Sequence, residues 1–139
     1  MTVERLEVVA NFVELCSYCG AACSGVFRIW YSDGSRRLAF ETGRGSLSEP
    51  LGRLVGTAIE RGEYGALPEF VREWNEARGW AEFDSEGAAV AAEDLLETLT
   101  ALSGQRVADD VRTGEMLAGL HGFVNKAMSE ARELWAMDD

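Results

Sequence analysis

Val26-Phe-Arg-Ile-Trp-Tyr-Ser-Asp-Gly-Ser-Arg-Arg-Leu-Ala-Phe-Glu-Thr42 decides the fold class. Two runs rich in aromatic and β-branched residues flank Asp33-Gly34, a pair suited to the positive φ values of a type I′ turn. The stretch predicts a β-hairpin over 26–42. A two-residue loop at Asp33-Gly34 would set Tyr31 opposite Arg36, Ile29 opposite Leu38 and Phe27 opposite Phe40. Side chains alternate along a strand, so Phe27, Ile29, Leu38 and Phe40 would share the core face. Arg28, Trp30, Arg37 and Ala39 would share the other.

Outward from the hairpin the pattern becomes helical. Leu6, Val9, Val13 and Cys16 recur at spacings of three and four, which predicts a helix from about Thr2 to Cys19. Gly43-Arg44-Gly45-Ser46 reads as a loop, and Ser48 as the cap of a helix from about 49 to 61. Pro68 opens a third helix, with Phe70, Val71, Trp74 and Ala77 on one face. Residues 80–84 alternate weakly and could add a third strand. Ser85 would cap a helix to about Leu102, and Thr113 one to about Met137. Leu117, Leu120, Val124, Ala127, Ala131 and Leu134 give the last helix a regular apolar stripe. The expected architecture is a helix-rich α+β domain, 1–139, with a two- or three-stranded antiparallel sheet packed against about five helices.

The composition narrows the function. A formal charge of −11 over 139 residues disfavours a direct nucleic-acid binder that neutralises phosphates. No apolar run is long enough to span a bilayer, and the first residues lack a signal-peptide pattern, so the expected compartment is cytoplasmic. The charge is also uneven. No basic residue lies between Arg78 and Arg106, whereas Glu82, Asp84, Glu86, Glu93, Asp94 and Glu97 do. Such a surface attracts a basic partner.

Several constellations could carry chemistry. Cys16, Cys19 and Cys23, with His121 as the one histidine, could hold zinc, and Cys16-x-x-Cys19 could be a redox dithiol. Their helical spacing also suits buried core thiols. Glu82, Asp84, Glu86, Gly87 and Glu93 fall at positions one, three, five, six and twelve of a loop that resembles an EF-hand. Glu82 replaces the usual Asp there, and Val90 stands where a ligand is expected. Ser85 as an N-cap with an acidic first turn explains the same residues. Gly43 to Ser48 could hold an anion at a helix N-terminus, although the third glycine of a dinucleotide fingerprint is missing. Trp30 between Arg28 and Arg37 would make a flat amphipathic binding patch if exposed.

No catalytic set is visible, and no cofactor is implied. The expectation is a non-enzymatic protein-binding module, in the manner of an inhibitor, immunity protein or antitoxin. It would capture a basic partner through the acidic stretch, with Trp30, Arg28 and Arg37 as further contacts. A thiol or zinc protein centred on the cysteines is the alternative. Another is a small-molecule domain with its pocket between hairpin and last helix. The apolar stripe of the last helix is core first and a dimer seam second.

Overall fold

The structure is a computed structural model that describes residues 5–13, 17–20, 25–76, 88–104 and 111–138. Along the chain run β1 (Arg5–Phe12), β2 (Val26–Ser32), β3 (Arg36–Gly43), α1 (Arg44–Glu60), α2 (Glu69–Asn75), β4 (Ala88–Val90), α3 (Ala92–Gly104), α4 (Val111–Ser129) and β5 (Leu134–Asp138). The strands form one mixed sheet in the order β1-β3-β2-β5-β4, in which β1 and β3 are parallel and the other pairs antiparallel. The α+β class stands. The expected two- or three-stranded sheet under about five helices becomes five strands and four α-helices among the described residues.

The hairpin forms with its turn one residue later than Asp33-Gly34. Asp33 N donates to Arg36 O at 3.1 Å and Gly34 has φ 96°, so Gly34-Ser35 are the loop residues. Glycine at the first loop position is the type II′ arrangement. Side chains explain the choice. Asp33 Oδ1 accepts from Ser35 N, Ser35 Oγ and Arg36 N, each at 2.9 Å, and Ser32 Oγ accepts from Gly34 N at 3.1 Å. The register follows: Ile29 stands opposite Phe40 and Trp30 opposite Ala39. Sliding each partner by two residues leaves every side chain on its expected face. Phe27, Ile29, Tyr31, Leu38 and Phe40 are indeed buried in one core.

The expected first helix is instead a strand. Leu6, Val8, Ala10 and Phe12 alternate along β1, and Val8-Val9 is a β-branched pair that packs well in a pleated strand. The ladder with β3 breaks between Val8 and Ala10, where Val9 is the extra residue. A bulge moves the following side chains to the other face. Ala10 and Phe12 therefore pack on the core, Phe12 stacking on Phe40 with ring centres 5.5 Å apart, while Leu6, Val8 and Val9 are exposed. The three-four spacing that predicted a helix mixed residues from both sides of this bulge.

Two further boundaries move. Helix α1 begins at Arg44, so Gly43–Ser46, expected as a loop, supplies its N-cap and first turn, and Pro50 lies inside it. The expected last helix stops at Ser129. Ala131 takes φ 54°, and Ala131 N to Met128 O (3.0 Å) with Arg132 N to Ala127 O (2.9 Å) makes a Schellman closure. That turn lets Leu134–Asp138 join the sheet as β5. The suggested strand at 80–84, Ser85 and Ala77 lie outside the described residues.

The helices pack on the face that carries Phe27, Ile29, Tyr31, Leu38, Phe40, Leu134 and Ala136. They contribute Leu47, Leu51 and Val55 (α1), Phe70 and Val71 (α2), Leu95, Leu99 and Leu102 (α3), and Met116, Leu117, Leu120 and Val124 (α4). Each such burial contributes about 1.5–3 kcal/mol before entropy is counted. Of the stripe expected for the last helix, Leu117, Leu120, Val124, Ala127 and Leu134 are thus taken up by the core, and Ala131 is exposed. Gly119 lets α4 approach Phe40, where an added Cβ would stand 3.4 Å from the ring.

A candidate partner groove between two helices

The charge-bearing helix α3 has three kinds of surface. Leu95, Thr98, Leu99 and Leu102 point into the core. Buried Thr98 satisfies its hydroxyl by donating to Asp94 O at 3.0 Å. Glu93 and Glu97 are exposed, one turn apart. They rim an open groove of about 600 Å³ whose other walls are Leu96, Thr100, Ala101 and Met128 of α4. Met128 is 37% exposed although it is a large apolar side chain. The groove therefore sets two carboxylates over an apolar floor. Glu93 also lies in the first turn of α3, where the helix dipole favours a negative charge.

Asp94, expected to join the capture surface, faces elsewhere. Helix α2 has no side-chain cap of its own at Pro68. Asp94 supplies one from α3: its Oδ1 accepts from Glu69 N at 2.9 Å and its Oδ2 from Phe70 N. Its carboxylate is engaged in holding α2 against α3. Glu82, Asp84 and Glu86 lie outside the described residues, and so does the first half of the loop that resembles an EF-hand.

The second expected contact patch lacks its aromatic centre, which is buried. Trp30 is 6% exposed and stands between Ala39 and Trp135 on neighbouring strands. Arg28 is bound to Glu41, with Nε to Oε2 at 2.7 Å and Nη2 to Oε2 at 2.6 Å. The amphipathic surface expected of Trp30, Arg28 and Arg37 is therefore replaced by a buried indole beside an internal ion pair, with Arg37 exposed. The hairpin register set by Gly34-Ser35 places Trp30 opposite Ala39 rather than Arg37.

Of the cysteines, Cys19 is exposed, and Cys16 and Cys23 lie outside the described residues. His121 is exposed on α4. No group of three His, Cys, Asp or Glu side chains is placed to hold a metal among the described residues. Rings meet between the hairpin and the last helix, where a small-molecule pocket was expected. Phe123 of α4 lies 5.1 Å from Tyr31 and 5.8 Å from Phe40, centre to centre. Among the described residues no helix is long and apolar enough to cross a membrane.

Met128 and Leu96, the floor of the groove, were missed by sequence reasoning. The signal was present in α3, where Glu93, Leu96, Glu97, Thr100 and Ala101 fall on one side of a helix, but Met128 comes from α4. No protein family, no curated protein and no solved structure matches the chain.

Proposed function

We propose that this chain is a non-enzymatic protein-binding module that captures a basic partner in the groove between α3 and α4. The observation that carries the reading is the pairing of Glu93 and Glu97 with an apolar floor that includes exposed Met128. The net charge of −11 adds a long-range attraction for cationic surfaces. Complementary charge would speed the encounter, and contact with Leu96, Ala101 and Met128 would slow release. An inhibitor or immunity-like role is one form such capture takes. Glu93 and Glu97 carry the electrostatic part, and Asp94 ties α2 to α3, one of the two helices that frame the groove.

The test is a titration of the full chain with a labelled amphipathic helical peptide that carries lysines on one face and leucines on the other. Anisotropy would be read at low and at high salt. Binding should weaken as salt rises, and the Glu93→Lys/Glu97→Lys variant should lose about tenfold or more in affinity. Met128→Ala should weaken binding while its salt dependence stays the same. Equal affinity for the wild type and the doubly reversed variant would remove the reading.

A further inference from the structure

Strand β1 is an edge of the sheet, and its outer side meets no strand among the described residues. Its residues Arg5 to Val9 are all exposed, with Leu6 at 43%, Val8 at 41% and Val9 at 50%. An edge that shows apolar side chains and unpaired backbone groups is a template for another strand. The bulge at Val9 interrupts the edge midway, which leaves Arg5–Val8 as the regular portion before it.

We propose that a second copy of this chain occupies that edge, with the two β1 strands antiparallel about a twofold axis through Leu6. The register follows from symmetry and charge. A twofold axis that makes two strands antiparallel in one sheet stands perpendicular to that sheet, so facing residues point to the same side. Side chains alternate, so one residue must lie on the axis and stand opposite its own copy. Arg5 on the axis opposes two arginines, and Glu7 on the axis opposes two glutamates; like charges directly opposite are destabilising. Val8 on the axis carries the pairing across the bulge. Leu6 on the axis sets Leu6 against Leu6 and Arg5 against Glu7 twice. Arg5 has no ion pair with any described residue. Glu7 already meets Arg36, which also binds Asp33 through Nε to Oδ2 at 3.2 Å. Each Arg5 would thus extend an acidic and basic chain that begins at the hairpin turn. The dimer would carry a continuous sheet with the helices of both copies on one side.

The surface shared by a few paired residues is small, which places the interface in the weak, concentration-dependent class. Two chains of −11 also repel, so the measurement belongs near physiological salt, where the Debye length is about 8 Å. Sedimentation velocity on the full chain over rising concentration should show a monomer–dimer equilibrium. Arg5→Glu alone and Leu6→Lys alone should shift it to monomer by about tenfold or more in dissociation constant. The Arg5→Glu/Glu7→Lys double variant exchanges the charges and should restore the dimer. Circular dichroism would establish that each variant keeps the fold, as expected for exposed positions. A chain that stays monomeric at every concentration would overturn the proposal. So would a dimer indifferent to Arg5→Glu and Leu6→Lys, because its interface would lie elsewhere.

Discussion

Removing the Asp94 carboxylate should unfasten α2. That helix has seven residues and no side-chain cap at its own N-terminus. Helices so short are not stable on propensity alone. Asp94 accepts from the amides of Glu69 and Phe70, two of the donors that a helix start leaves without intrahelical partners. Loss of a cap costs about 1 kcal/mol and up to about 2. Hydrogen bonds to a charged acceptor contribute about 1.5–3 kcal/mol each when protected from water. Glu69 is exposed, so water replaces part of the first bond; Phe70 is buried, so less of the second is recovered. The estimate for Asp94→Ala is about 2 kcal/mol. With a urea slope of about 2 kcal/mol per molar, the unfolding midpoint falls by about 1 M at unchanged slope. Asp94→Asn keeps one acceptor oxygen and should lose roughly half as much. Glu93→Ala, beside it in sequence and exposed, should stay within about 0.5 kcal/mol. Hydrogen exchange would locate the effect, with the Glu69 and Phe70 amides losing protection first. A loss below about 0.5 kcal/mol for Asp94→Ala would refute the cross-helix cap.

Two more perturbations follow from the backbone and the hairpin turn. Ala131 occupies the left-handed position of the Schellman closure at φ 54°, which costs a residue with a Cβ about 1–2 kcal/mol. Ala131→Gly relieves this but adds freedom to the unfolded chain, so the net gain should be about 0.5–1 kcal/mol; any loss of urea stability would contradict it. Amide donation from Ser35 and Arg36, with the Ser35 hydroxyl, holds the Asp33 carboxyl well below the usual carboxylate range. A folded-state value below the unfolded one stabilises above the unfolded value of about 3.9 and loses that contribution as the pH falls through the folded value. Asp33→Asn should therefore flatten the acid limb of the stability curve below about pH 4. Superimposable limbs in the wild type and the variant would contradict that.

The hairpin was legible because its signal is local. Two strands and a glycine turn lie within eighteen residues, and alternation fixes the faces even when the turn slides by one residue. β1 was not legible, because its partner β3 is distant in sequence and the three-four spacing of Leu6, Val9, Val13 and Cys16 competed with the alternation of Leu6, Val8, Ala10 and Phe12. β5 was hidden by composition. Leu134 and Ala136 continue the apolar pattern of α4, and what ends the helix is Ala131 in a left-handed conformation that usually calls for glycine. The acids of α3 were visible as a block, but a block does not tell which carboxylates are committed to structure. Whether Trp30 is exposed was not legible, since nothing in β2 alone reveals that Trp135 will stand beside it.

Helix geometry explains how one acidic segment divides between the cap on α2 and the rim of the groove. At about 100° per residue, Glu93 and Glu97 lie within about 40° of each other, with Thr100 and Ala101 close by. Leu95, Thr98, Leu99 and Leu102 cluster on the opposite side, where the core receives them. Asp94 falls about 100° from Glu93, between the two sectors, at the flank where α2 begins. Exchanging Glu93 and Asp94 would preserve the charge of the segment while altering the reach of both side chains. The cap would gain a methylene on the side chain that must reach Glu69 and Phe70, and the groove would lose one from its rim. Net charge therefore cannot stand in for position here. Stability should follow position 94, and capture of a basic partner should follow positions 93 and 97.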